Sequence, residues 1–180
     1  MRWFFALWPD DDTRARISGA ALALRRAVDA RPVPQENYHA TLAFVGEVSM
    51  PQLAVLQQIG LAQRGAACAI GFDAYDYWPD PRVVVAVARE TPASLTLLWA
   101  QLHRDLARLL PHLNLEHPQA PPRMHITLAR KVAQAPVLPA MSPFGWNARS
   151  FSLVRSDTSG ARSVYTVVDT WQLLYETPKP

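Results

Sequence analysis

The chain alternates short apolar runs with longer stretches of helical periodicity. Residues 2–8 hold Trp3, Phe4, Phe5, Ala6, Leu7 and Trp8 and stop at Pro9. So dense an aromatic run predicts a buried strand. Asp10 then fits a helix cap, with Asp11 and Asp12 matching the dipole of the first turn. Ile17, Ala21, Leu24 and Val28 recur at helical spacing, and Pro32 and Pro34 end the element. A second strand is predicted over 38–45, closed by Gly46. Ser49 and Gln52 form a capping box for a helix reaching about residue 63, striped by Leu53, Leu56 and Ile59.

Residues 68–77 and 82–88 read as two strands around the Trp78-Pro79-Asp80-Pro81 turn. After Thr91-Pro92, Leu95, Leu98, Trp99, Leu102, Leu106, Leu109 and Leu110 give one helix a broad apolar face. A proline-rich loop follows over 111–123, then a strand over 124–130. The stretch 132–145 reads as loop, and 147–156 with 163–173 as a closing hairpin around Thr158-Ser159-Gly160.

This pattern contains a repeat. His39-Ala40-Thr41-Leu42-Ala43 matches His125-Ile126-Thr127-Leu128-Ala129 except where Ile126 replaces Ala40. Each copy follows a strand, a helix and a proline-bearing loop. Two strand–helix–strand units, about 1–77 and 82–173, predict one bilobal, pseudo-symmetric α+β domain with a cleft between its lobes. Strand order is not fixed by the pattern.

Composition narrows the function classes. The 180 residues are 49% hydrophobic and 18% charged, enough apolar material for a core and too little charge for a disordered chain. A formal charge of +3 is small for a protein that coats duplex DNA and suits an anion held at a few points. One cysteine, Cys68, rules out an internal disulfide and CxxC zinc sites. No run approaches the ~18 apolar residues of a membrane span, so a soluble cytoplasmic protein is expected, as a monomer and without a cofactor.

Strand alternation supplies the chemistry. His39 and Thr41 share one face while Ala40 and Leu42 share the other; His125 and Thr127 divide from Ile126 and Leu128 in the same way. If a two-fold relates the lobes, two imidazoles and two hydroxyls meet across the cleft. One neutral and one protonated imidazole can take a proton from water and give one to a leaving group. Thr41 and Thr127 can donate to an anion, and Arg130 offers a forked donor set for phosphate. The combination suits metal-independent phosphoester chemistry, and the symmetry leaves acid and base unassigned. Arg130 is on the wrong parity and reaches the cleft only if the strand bulges there; its counterpart is Phe44.

Other residues have plainer uses. His103 sits at the edge of an apolar helix face. His112 and His117, with Glu116, match no strong zinc spacing. The Trp78–Arg82 turn fits a cleft rim or an ordinary hairpin. Phe4, Phe5 and Trp8 read mostly as core, with Phe5 the candidate stacking floor for a base. Two competing functions remain: a non-catalytic protein that binds RNA 2′-phosphate ends in the same cleft, and a metal hydrolase built on His112 and His117 with one cleft histidine.

The paired motifs, with Phe4-Phe5-Ala6-Leu7, the run from Asn37 to Gly46, Met124 to Arg130, Arg82-Val83-Val84-Val85 and Tyr165-Thr166, closely resemble the 2H phosphoesterases. Within them the chain is similar to the LigT-like bacterial RNA 2′,3′-cyclic phosphodiesterases, also called 2′-5′ RNA ligases. Met124 stands where that family often has proline. The resemblance implies two antiparallel sheets flanked by helices around a central cleft, and conversion of a 2′,3′-cyclic phosphate to a 2′-phosphate without metal. It implies that His39 is proton donor, that His125 is proton acceptor, and that Thr41, Thr127 and Arg130 hold phosphate. RNA 2′,3′-cyclic ends or small cyclic nucleotides are the implied substrates, with 2′-5′ joining as related chemistry.

Overall fold

A computed structural model describes residues 1–111, 113, 123–160 and 163–174. The predicted loop residues His112, Glu116 and His117 lie outside the described residues, and so does any statement about them as metal ligands.

Nine strands and three α-helices are present among the described residues. The first sheet contains β1(Arg2–Leu7), β3(Ala40–Gly46), β8(Ser150–Asp157) and β9(Val164–Gln172), in the order β3-β1-β8-β9. The second contains β2(Arg31–Pro32), β4(Cys68–Trp78), β5(Val83–Ala88), β6(His125–Arg130) and β7(Phe144–Ala148), in the order β2-β6-β5-β4-β7. Every pairing within them is antiparallel. The α+β class and the two antiparallel sheets are as expected. Leaving aside the short β2, the sheets correspond in order: β3-β1-β8-β9 to β6-β5-β4-β7.

The lobes are not the two halves of the chain. The turn at 79–82 makes β4 and β5 an antiparallel hairpin, which draws β4 into the second sheet. The closing hairpin β8–β9 returns to pair with β1 in the first. A boundary near residue 80 therefore separates the repeat units but not the sheets. Two short features escaped the hydrophobic pattern. β2 has only two residues, both exposed, and β7 begins at Phe144 and Gly145 within what reads as loop and runs into the strand predicted from residue 147.

The helices cross between the sheets. α1(Asp11–Arg25) follows β1 but lies against β7 of the other sheet, while α3(Ala93–Leu109) follows β5 and lies against β3. Their caps are those the sequence offers. Asp10 accepts the Thr13 N–H at 2.8 Å, and at α2(Met50–Ala62) the Ser49 N–H donates to Gln52 Oε1 at 2.6 Å. Leu95, Leu98, Leu102 and Leu106 bury one face of α3 almost completely. Each such side chain contributes about 1.5–3 kcal/mol. Leu109, predicted on that face, is exposed, and Leu110 is buried in its place as the helix ends. A single core thus runs through both sheets and all three helices. No described helix is long and apolar enough to cross a membrane.

Candidate active site

The two histidine strands come together where β3 and β6 approach across the lobes. In each, the residues alternating with the histidine and threonine go inward. Ala40, Leu42, Ile126 and Leu128 are at most 2% exposed. Thr41 and Thr127 are half-buried on the opposite, cleft-facing side.

Both rings are held by the same local bond. His39 Nδ1 lies 2.7 Å from the Asn37 carbonyl, and His125 Nδ1 lies 3.0 Å from the Arg123 carbonyl. A carbonyl only accepts, so Nδ1 carries a proton in both rings, and Nε2 is the atom that gains or loses the second. The repeat thus extends from residue types to ring orientation. Asn37 is itself buried, and its Nδ2 donates to the Ser163 carbonyl at 2.9 Å, tying the His39 support to the start of β9.

Arg130 reaches the site through a bulge. The β5–β6 register runs Val84↔Ala129 and then Val85↔Thr127, so Leu128 has no partner of its own. Ala129 therefore follows Leu128 into the core, and Arg130 turns to the open side. Arg130 and His125 both act on the charge of the His39 ring, so these three groups share one electrostatic neighbourhood. The first motif has the same bulge: Phe5↔Ala43 is followed by Ala6↔Thr41. There the outward residue is Phe44, 56% exposed. The Leu42 and Leu128 carbonyls both accept from donors outside the β1–β3 and β5–β6 pairings. His103 Nε2 donates to the Leu42 carbonyl at 3.2 Å, and the Val33 N–H to the Leu128 carbonyl at 2.9 Å. His103 thus supports the motif strand from the core side.

Phe5 is not at the site. It is fully buried on the core side of β1, where its ring meets Phe151 and Trp171. Period two gives the cleft to its neighbour Phe4, whose ring centroid is 4.9 Å from that of His39. Trp8 stacks on His39 at 5.8 Å, and Tyr165 meets it edge-on at 5.3 Å. On the other side Trp78 packs its ring on His125 at 4.4 Å, its indole N–H donating to Asp76 at 3.1 Å. Alternation within the aromatic run could have selected Phe4. Tyr165 arrives from the far end of the chain, and no local signal marks it.

These surroundings set the charge. Burial pushes the His39 pKa down to about 4, and the positive charge of Arg130 and the nearby His125 act in the same direction against the Asn37 hydrogen bond. Burial also lowers the His125 pKa. Both shifts favour the neutral imidazole, and an anion beside either ring would favour the protonated one. Two imidazoles and one guanidinium in one electrostatic neighbourhood suit acid–base attack on an anionic ester.

Comparison with known proteins finds relatives over most of the chain. Residues 9–160 match the 2′-5′ RNA ligase superfamily. The RNA 2′,3′-cyclic phosphodiesterase of Thermus thermophilus is 33% identical over 183 residues, covering 96% of this chain and 90% of that protein. The RNA 2′,3′-cyclic phosphodiesterase of Escherichia coli is 31% identical, covering 79% of this chain and 80% of its own. The crystal structure of TT0787 of Thermus thermophilus overlays with a TM-score of 0.84 at 30% identity, covering 98% of this chain and 100% of that one.

Proposed function

The chain belongs to the 2′-5′ RNA ligase superfamily, and on that premise we propose that it hydrolyses RNA or nucleoside 2′,3′-cyclic phosphates to 2′-phosphates without a metal. The observation that carries the reading is the pair of Nδ1-anchored imidazoles sharing one space with Arg130. Its relatives named RNA 2′,3′-cyclic phosphodiesterases support turnover over a role limited to binding RNA ends.

In the proposed reaction Thr41, Thr127 and Arg130 hold the phosphate oxygens. His125 Nε2 takes a proton from water as its oxygen attacks phosphorus. The bond from phosphorus to the 3′ oxygen breaks, and His39 Nε2 returns a proton to that oxygen. The product carries a 2′-phosphate and a free 3′-hydroxyl. An RNA 5′-hydroxyl in place of the water gives a 2′-5′ linkage by the same bond changes.

Packing supports this division of roles. A base must meet water, and His125 has the more open surroundings, with its Nδ1 bond at the exposed surface. Phe4, Trp8 and Tyr165 enclose His39, and a strongly desolvated ring holds a proton only beside an anion. His39 then takes up its proton from solvent as the anionic substrate binds and gives it to the product alcohol. One chain contributes both histidines, which suits a monomer, and the lone Cys68 suits the cytoplasm.

The test is incubation of a nucleoside 2′,3′-cyclic phosphate with the protein, with and without EDTA, and separation of the 2′- and 3′-phosphate products. The 2′-phosphate should form equally in both arms. His39→Ala and His125→Ala should each lower kcat by about 10²–10⁴-fold. Full activity in either variant, or a 3′-phosphate product, overturns the mechanism; loss of activity in EDTA overturns its metal independence.

A further inference from the structure

Beside the histidines a cavity of about 620 Å³ opens between the β2–β6 edge and the β8–β9 turn. Its lining shares Arg130 and Tyr165 with the neighbourhood of His39, so it continues from the site described above. Asn37 also lines it and anchors His39; none of its other residues takes part in the proposed reaction. Among the described residues four cations line it, Arg25, Arg31, Arg130 and Lys131, against one carboxylate, Glu36.

Backbone pairing and a turn gather these charges. The β2–β6 register sets Arg31 directly opposite Arg130, placing two guanidinium residues side by side. Like charges in that arrangement normally repel. Adjacent strand residues normally face opposite ways, yet Arg130 and Lys131 line the same cavity. Lys131 leaves the strand with φ 56°, a left-handed conformation that is uncommon outside glycine, asparagine and aspartate. Arg25 is added from the last turn of α1.

We infer that this groove receives the RNA phosphodiester preceding the cyclic end, so that the protein recognises an RNA terminus over a mononucleotide. The inference rests on the proposed reaction. A terminal nucleotide whose 2′ and 3′ oxygens are in the cyclic phosphate continues into RNA only through its 5′ oxygen. The next group along the chain is therefore an anionic phosphodiester. The groove adjoining Arg130 offers that anion Arg25, Arg31 and Lys131. Thr158, Gly160 and Ser163 form the opposite wall and bring no charge.

Binding tests the groove independently of turnover. The probes are a short oligoribonucleotide ending in a 2′-phosphate and the corresponding nucleoside 2′-monophosphate, each titrated by fluorescence or calorimetry. Wild type should bind the oligonucleotide about tenfold or more tightly than the mononucleotide. Arg25→Gln and Lys131→Asn, the latter tolerant of the left-handed backbone, should each erase most of that preference and leave mononucleotide binding within about twofold. Each should also flatten the dependence of log Kd on log salt by about 0.7 for every RNA phosphate it no longer neutralises. Equal wild-type affinity for the two probes overturns the inference, and so does an unchanged preference in both variants. A protein that prefers the oligonucleotide but turns over no cyclic phosphate would refute the reaction and leave the groove standing.

Discussion

Replacing His39 by asparagine should remove an acid sensitivity built into the fold. The asparagine amide would keep a donor toward the Asn37 carbonyl now bonded to Nδ1 at 2.7 Å, but would not titrate. The His39 pKa is lowered from 6.5 to about 4 in the folded chain. The unfolded chain therefore takes up a proton first as pH falls, and folding loses stability between those two values. The full effect is about 3 kcal/mol, from roughly 1.4 kcal/mol for each pKa unit. Between about pH 7 and pH 5 the share lost is roughly 2 kcal/mol. Urea unfolding at both pH values, followed by tryptophan fluorescence, reads this directly. With a slope of about 2–3 kcal/mol per molar urea, the wild-type midpoint should fall about 0.7–1 M further than that of His39→Asn. His125→Asn should relieve a smaller loss of the same sign, because burial lowers that ring as well. Equal midpoint losses in wild type and His39→Asn would refute the claim that enclosure by Phe4, Trp8 and Tyr165 keeps the ring neutral.

Two further outcomes follow from the same geometry. The form with one proton on the histidine pair is most populated between two values that both lie below 6.5, so kcat/KM for a cyclic mononucleotide should peak on the acid side of 6.5 and fall by about tenfold per pH unit above it. A plateau running through neutrality would show that the unliganded rings are not depressed. Gly60→Ala should lower stability by about 1–3 kcal/mol, against the usual gain for alanine in a helix, because a Cβ on α2 would enter the space of the Trp171 ring. Thermal melting checks it, and a rise in Tm would refute that packing.

Period-two alternation and the repeat put His39 with Thr41, and His125 with Thr127, on one strand face each, because a strand's faces can be read from local residue types. The same rule placed Arg130 on the wrong face, since it assumes an unbroken ladder. The bulge at Leu128 depends on register with β5, and register is a relation between strands remote in sequence. The aromatic walls divide in the same way. Phe4 was readable as the alternate of Phe5, whereas Tyr165 meets His39 only because β8 and β9 return to the first sheet. The basic groove was hidden for a related reason. Arg25, Arg31 and Lys131 do not stand out among the chain's 18 lysines and arginines until the two-residue β2 pairs with β6.

A duplicated frame supplies two equivalent histidines, but hydrolysis needs an acid and a base. The equivalence is close: the same Nδ1 bond, the same flanking threonine, and the same bulge after the motif. It breaks only in what surrounds the rings. Three aromatic rings close around His39, while Trp78 packs on His125. The outward residue after the bulge is Phe44 in one copy and Arg130 in the other. The fixed positive charge is thus contributed by the second lobe, yet it depresses the ring of the first. An anion bound at Arg130 neutralises that influence at the moment His39 needs its proton. In the low dielectric around His39 the same anion favours the imidazolium far more than it would in water. On the proposed roles, substrate binding itself separates acid from base, and the symmetric frame needs only unequal packing to make the two histidines act differently.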